Sequence, residues 1–279
     1  MTHRQILAVL RLELDKRHLE SPTILDVGCG NGRLLSVLSA LKPAKLAGFD
    51  SADYGLQDDA IIGQQAPTGA DVRRTGEDWL WPFPDASFDV IVSNQVGEHV
   101  ADLNLFVAEN ARVLRPGGVG VHVFPTRDIL FEGHMHLPLV HRIRDHDFRS
   151  WVITKMSDFG LGVYRKVLRD DPDLTTYAFG QGQADYLRKH TTYRSWSEVA
   201  AAFGSVDMRV SYRYTSMLVQ RAAARTMYRT WEGHELPPLL ESALFPLTRA
   251  IGSVTFVVEA TDSYRHIWAR VGGGKHCDR

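Results

Sequence analysis

The sequence predicts an α/β fold, a parallel sheet covered by helices on both faces. Three observations carry this prediction. Short apolar runs alternate with amphipathic helical stretches through the first half of the chain, which is the pattern of parallel strands joined by crossover helices. The run Ile24-Leu25-Asp26-Val27 passes directly into the turn Gly28-Cys29-Gly30-Asn31-Gly32 and then into a helical stretch. With 279 residues and 44% hydrophobic content, the chain can bury one substantial core, favouring one elaborated domain over two.

The elements follow in order. Ile6, Leu7, Leu10, Leu14 and Leu19 recur near helical spacing and predict an N-terminal helix over 4–19, within the helical segment 1–20. Pro22 separates it from a core spanning 21–125. Strands are expected at 23–28, 44–50, 70–75, 88–94 and 119–124, with helices near 32–41, 52–62 and 101–114. Arg73 and Arg74 make the third strand polar. Farther on, 196–203 reads as a helix, 206–212 as a sixth strand and 254–259 as a seventh. The glycine-rich, polar end at 271–279 is expected to be disordered.

Two stretches stand outside this alternation, about 125–190 and about 214–250. Ligands of open parallel sheets bind beyond the carboxyl ends of the strands. Both insertions are therefore expected beside the ligand, as lid and substrate wall. The second holds Leu218, Leu239, Leu240, Leu244, Phe245 and Leu247. It reads as core packing, as an apolar pocket, or as peripheral contact with a lipid-linked substrate. The run 243–258, interrupted by Arg249, is too short to span a bilayer.

A net charge of −1 offers no basic face for nucleic acid. The arginines from Arg142 to Arg149 are broken by Asp145 and Asp147 and read as a solvated surface. Two cysteines cannot make a disulfide framework, because Cys29 sits in the glycine turn and Cys277 in the polar tail. A small side chain suits the turn sterically, so Cys29 is not expected to be a catalytic thiol. No signal-peptide pattern opens the chain, and the cytoplasm is the expected compartment.

The glycine turn carries chemistry. Its glycines let a ligand lie against bare main chain. A phosphate-cradling loop would want a Lys after it, and the dinucleotide fingerprint would want a glycine where Arg33 stands. An acidic Asp26, then GxGxG, then a helix resembles motif I of the class I S-adenosylmethionine methyltransferases, in the broad group acting on small molecules. About twenty residues on, a second strand ends in Asp50, where such sites need an acceptor for ribose hydroxyls; the alternative role is a helix N-cap. The stretch from Glu77 through Trp81-Pro82-Phe83-Pro84-Asp85 to Phe88-Asp89 resembles the family's adenine-binding segment. The stretch 106–118, ending Leu114-Arg115-Pro116-Gly117-Gly118, resembles the helix and turn before its fifth strand. The resemblance covers residues 20–125. It implies a Rossmann-like seven-stranded sheet, mostly parallel with an antiparallel last strand. It implies S-adenosylmethionine (SAM) as cofactor, held by Asp26, Gly28, Cys29, Gly30, Gly32, Asp50, Ser51, Glu77, Asp78 and Asn94.

Methyl transfer to oxygen also needs a base for the acceptor's proton, most often His. Among 12 histidines, two groups stand out. Gln95-Val96-Gly97-Glu98-His99 follows the fourth strand. Some relatives bind a divalent metal through an ExxEH pattern here, but Gln95 is a poor first ligand, and no metal is expected. His99 reads as base, substrate contact or structural residue. Glu132-Gly133-His134-Met135-His136 opens the first insertion, resembling a GHxHxP stretch of O-methyltransferases of glycans and related metabolites. His134 and His136 would share one face of an extended segment. They read as base or substrate contacts, as metal ligands with Glu132 or His99, or as structural residues. His122, alternating with valines, reads as a core histidine. Asp158, Tyr186, Tyr193 and Arg194 are further candidates for the substrate wall. The expected reaction is methylation of a hydroxyl on a glycan-type or other small molecule. The alternatives are N- or C-methylation of a quinone, lipid or natural product, or SAM binding without catalysis.

Overall fold

The computed structural model describes residues 3–51, 61–75, 80–217, 219–221 and 233–261. Seven strands form one sheet: β1 (Thr23–Val27), β2 (Lys45–Asp50), β3 (Asp71–Arg74), β4 (Phe88–Asn94), β5 (Leu114–Phe124), β6 (Met208–Ser211) and β7 (Val254–Ala260). Their order is β3-β2-β1-β4-β5-β7-β6. β7 alone runs against its neighbours, antiparallel to both β5 and β6. Adjacent residues in one strand feed opposite faces of the sheet. Leu25 and Ile91 join the core on one face with Phe106 and Phe203. Ile24, Val90 and Val92 join the other with Ile6, Leu10 and Leu35.

The pairing of β1 sets the functional edge. Val27 stands level with Phe49 on one side and Ser93 on the other. Asp26, Asp50 and Asn94 therefore end up along one edge of the sheet.

Several boundaries differ from expectation. The stretch expected as one helix over 32–41 is α2 (Arg33–Leu38) followed by a 3-10 turn at Ser39–Leu41. The helix expected from 101 is α3 (Leu103–Val113), because the Asp102 carboxylate caps it by accepting from the N–H groups of Asn104 and Leu105. The fifth strand begins at Leu114 rather than 119, since Leu114 pairs with Phe88 before a bulge restores the register at Val90 and Val119. Most of the helix expected at 52–62, and the tail at 271–279, lie outside the described residues.

The first insertion folds on its own small core. It contains α4 (His146–Asp158), α5 (Tyr164–Val167) and α6 (Thr176–His190), and Met135, Leu137, Ile153, Phe179 and Leu187 are buried among them. α7 (Trp196–Gly204) then returns the chain to the sheet behind a Ser195–Glu198 capping box.

The second insertion takes a different course. α8 (Pro238–Ile251) buries Phe245 against Trp196 and Tyr212, which is the core-packing role. Leu239 and Leu247 of the same helix are exposed. Among the described residues no helix is long and apolar enough to cross a membrane.

The N-terminal helix α1 (His3–Arg17) inserts Ile6, Val9, Leu10 and Leu14 into the core, and Glu13 with them. A buried carboxylate is costly unless paired. Glu13 accepts hydrogen bonds from Arg213 (2.8 Å) and from the Tyr214 hydroxyl, and Arg17 lies against it. Arg213 and Arg17 reach on to Glu259 of β7. This network ties α1 to the antiparallel edge and holds the start of the second insertion there.

Burial alone would raise the proton affinity of Glu13, but its bonds to Arg213 and Tyr214 outweigh burial and hold its pKa at about 2, against an ordinary 4.5. A depressed folded-state pKa gives stability that is full above about pH 4.5 and lost as pH falls towards 2. Glu13→Gln should therefore cost about 3 kcal/mol at pH 7. It should also flatten the loss of stability between pH 5 and 2, as read by urea unfolding across that range.

Candidate functional site

The site is built from the glycine turn upward. Gly28, Gly30 and Gly32 all have positive φ, at 68°, 50° and 84°. A Cβ at Gly28 would sit 2.5 Å from Val96, and one at Gly32 would sit 2.6 Å from the Ala66 backbone, so two positions exclude side chains by contact as well as by conformation. The Gly28 and Cys29 N–H groups both donate to the Phe49 carbonyl, at 2.9 and 3.0 Å, fixing the turn against the end of β2. Asp50 accepts from the Gly30 N–H (2.6 Å) and the Ser51 N–H (2.7 Å). Asp50 thus sits inside the turn, and the helix start it could otherwise cap lies outside the described residues. Cys29 is buried, which holds its thiol protonated.

Two adjoining hollows flank this turn. The larger, about 600 Å³, is lined by Phe49, Asp50, Ser51, Thr75 and Trp81 at one end and by His99, Lys189 and His190 at the other. The smaller, about 350 Å³, takes in Asp26, Cys29, Gly30, Arg33 and Asn94, with His3 of α1 at its rim. Gly28 lines both. Glu109 of α3 fixes Trp81 by accepting its backbone N–H at 2.6 Å, and the indole ring packs 5.1 Å from the Phe49 ring.

Buried polar atoms normally find partners, and here several do not. Asp26 Oδ2, Ser51 Oγ, Thr75 Oγ1 and Asn94 Oδ1 are buried without a hydrogen-bond partner in the structure. Asp26 is 1% exposed, and burial, then the like charge of Asp50, push its carboxyl well above the usual carboxylate range. A trough lined with two unsatisfied acceptors and two unsatisfied hydroxyls on bare backbone is built to receive a polar ligand.

At the far end of the larger hollow stands a cluster of acids and rings. His99 Nδ1 lies 2.7 Å from the His190 carbonyl. A carbonyl only accepts, so Nδ1 carries the proton and Nε2 is the basic nitrogen. Burial, and next to it the charge of His134, lower the proton affinity of His99 despite that hydrogen bond. The His134 ring meets the His99 ring edge to face at 5.3 Å. Its Nδ1 lies 2.6 Å from Glu132 Oε1. Burial opposes charge on His134, but Glu132 outweighs it and raises its pKa above the ordinary 6.5. Glu132 is fully buried and also accepts from the His134 and Met135 N–H groups and the Tyr193 hydroxyl. Glu98, 1% exposed, is pushed by burial to about 7.

The structure brings Asp26, Gly28, Cys29, Gly30, Asp50, Ser51, Asn94 and His99 to the two hollows, with Gly32 completing the turn. His134 stands against His99. Glu77 and Asp78 lie outside the described residues. His136 departs from expectation. The segment is a tight turn closed by the Phe131–Pro138 bridge, not an extended strand. His136 is exposed at φ 56°, so it shares no face with the half-buried His134.

Gln95 turns its amide to the Val123 carbonyl and the Ser253 hydroxyl. Asp158 is exposed and bonds Lys155, so it forms no part of the wall. Tyr186 packs on His134 at 5.0 Å. Arg194 clamps the carbonyls of Val100 and Ala101. His122 is buried in the core, bonded to Ser93 at 2.8 Å, and burial drives its pKa to about 3. The described residues of 214–250 line neither hollow; the start of that insertion is tied to α1 through Glu13, and its helix packs Phe245 into the core beside Trp196. Sequence reasoning missed Thr75 and His3, which no motif marks.

Residues 25–121 match the family described as "Methyltransferase domain". A ubiquinone biosynthesis O-methyltransferase of Mesorhizobium japonicum is 34% identical over 111 residues, 37% of this chain and 41% of that protein. One from Bartonella quintana is 36% identical over 100 residues, 36% of this chain and 40% of that protein. A sterol 24-C-methyltransferase of Pneumocystis carinii is 33% identical over 101 residues, 36% of this chain and 27% of that protein. The chain spans about two fifths of the length of the ubiquinone-pathway relatives. In overall fold it resembles an S-adenosylmethionine-dependent methyltransferase of Mesorhizobium loti, with a TM-score of 0.53 and 16% identity over 90% of this chain and 95% of that one.

The strain at Asp26 has a measurable sign. A carboxyl whose folded pKa is raised contributes stability below its unfolded pKa and loses it as pH rises through the folded value. Asp26→Asn removes that loss. The ligand-free variant should be more stable than the parent by on the order of 1–2 kcal/mol at pH 8, and by less at pH 5. Thermal melts at the two pH values check this.

Proposed function

We propose that this chain, whose core carries a methyltransferase domain of class I architecture, is a SAM-dependent methyltransferase that methylates a hydroxyl of a small molecule. The observation that carries the reading is the row of unsatisfied buried polar atoms along one sheet edge, the acceptors Asp26 Oδ2 and Asn94 Oδ1 and the hydroxyls of Ser51 and Thr75. Their chemistry fits this cofactor. Asp26 and Asn94 suit the ammonium group of an amino-acid moiety. Asp50 keeps lone pairs for a ribose diol beyond its two backbone bonds. Trp81 and Phe49 offer apolar walls for a purine. Bare glycine backbone lets the molecule lie across the turn.

The cofactor, when bound, supplies a methyl group on a sulfonium, so the protein's part is to align, to exclude water and to remove one proton. His99 is the base that best fits. It lines the hollow, its Nδ1 is committed to the His190 carbonyl, and burial, with the charge of His134, lowers its proton affinity. With the methyl group supplied by the bound cofactor, His99 Nε2 would take the proton that the acceptor hydroxyl gives up. The relatives named as O-methyltransferases support oxygen as the acceptor atom.

Calorimetric titration with SAM tests the binding half. Asp50→Ala should weaken binding by roughly 1.5–3 kcal/mol, the scale of hydrogen bonds to a charged group. Transfer of labelled methyl into small-molecule extracts tests the chemistry. His99→Ala should slow it by on the order of 10²–10⁴-fold with SAM affinity nearly unchanged. Binding without any transfer would leave a SAM-binding scaffold as the surviving reading.

A further inference from the structure

Two neighbouring histidines in this cluster are anchored in opposite ways. His99, on the loop after β4, gives its Nδ1 proton to a backbone carbonyl, His190, at 2.7 Å. His134, on the insertion hairpin, gives its Nδ1 proton to a carboxylate, Glu132, at 2.6 Å. A carbonyl is a neutral partner, whereas a carboxylate stabilises an imidazolium. The two rings meet at 5.3 Å, close enough for charge on one to oppose charge on the other.

Glu132 is fully buried and takes four donors: the His134 and Met135 N–H groups, His134 Nδ1 and the Tyr193 hydroxyl. That many donors to one carboxylate fix it as an anion. The other groups facing the pair are Glu98 on the β4 loop, Tyr186, Lys189 and His190 on α6, and Tyr193 after it. Glu98 adds a second negative charge towards His134 when ionised. Lys189 is engaged by Asp185 at 3.4 Å. Glu132 bonds His134 directly, whereas its charge also acts on His99 but counts there for less than the opposing charge of His134.

We propose that Glu132 and His134 are positioning residues for His99: the Glu132–His134 ion pair holds an imidazolium against the His99 ring and so keeps His99 in its neutral, proton-accepting form. The inference rests on the proposed role of His99 as base, and deepens it by assigning control of that base to the first insertion. Docking of the insertion hairpin then does more than cover the site. It brings the charge that readies the core's own histidine. His134 in this scheme takes no proton from the acceptor.

Histidine-selective NMR titration of the full chain tests this without any turnover. In His134→Asn the carboxylates remain and the imidazolium is gone, so the His99 midpoint should move up in pH. In Glu132→Gln the His134 midpoint should move down, and Glu132→Asp, which keeps a carboxylate, should restore it. In the labelled-methyl assay the acid limb of the rate profile should follow His99 upward in His134→Asn. A purely structural role for the pair would lower stability and leave the midpoints in place. An unmoved or lowered His99 midpoint in His134→Asn overturns the proposal, as does an unmoved His134 in Glu132→Gln. If His134→Asn fails to fold, the Glu132→Gln and Glu132→Asp pair decides. Absence of SAM binding in the parent chain would remove the proposed function while leaving the titrations to stand on their own.

Discussion

The placement of β1 between β2 and β4 is the constraint on which the rest depends. Parallel pairing on both sides brings three carboxyl ends to one level. Asp26 is thereby buried within reach of the Asp50 charge, and the glycine turn is pinned to the Phe49 carbonyl. None of this favours the ligand-free protein. Burying two acids near one another costs stability, and the bulk of the two apolar cores must offset it. A sheet edge that keeps such a cost is one shaped for a ligand, and the missing donors describe what that ligand must bring.

The core of this site was legible in sequence because its determinants are local. Gly28, Gly30 and Gly32 are read directly from a turn that only glycine makes cheaply, and Asp50 from its distance to that turn. The parallel sheet followed from alternation, and its antiparallel last strand from family resemblance, while the order of the strands within the sheet was not read from sequence. Boundaries were less legible where a single partner decides them. The register of Leu114 against Phe88 extends β5 through a stretch that reads as a turn, and Asp102 starts α3 two residues late.

The insertions were legible in outline and not in path. Nothing local distinguishes an insertion that lines a pocket from one that packs elsewhere. The second is drawn to α1 by Arg213 and Tyr214, which meet Glu13 across about two hundred positions of sequence. Likewise the spacing of His134 and His136 suits a strand, but Glu132 accepts three backbone and ring N–H groups from the same few residues and curls the segment into a turn. Pattern reasoning sees side-chain period. It does not see a buried carboxylate that organises the backbone around itself.

The buried acids sort into two kinds, and the sorting separates scaffold from site. Glu13, Glu109 and Glu132 each gather several donors. Glu13 ties α1 to the sheet edge, Glu109 ties the Trp81 segment to α3, and Glu132 shapes the insertion hairpin. Asp26 and Glu98 each retain a buried oxygen with no partner in the structure. A fully bonded carboxylate rigidifies its surroundings, while an incompletely bonded one is costly unless something else completes it. The first kind fixes the geometry and the second marks where that geometry is used. That Glu132 and Glu98 both face His134 puts one of each kind at the boundary between insertion and core, where a scaffold interaction can also set the charge of the site.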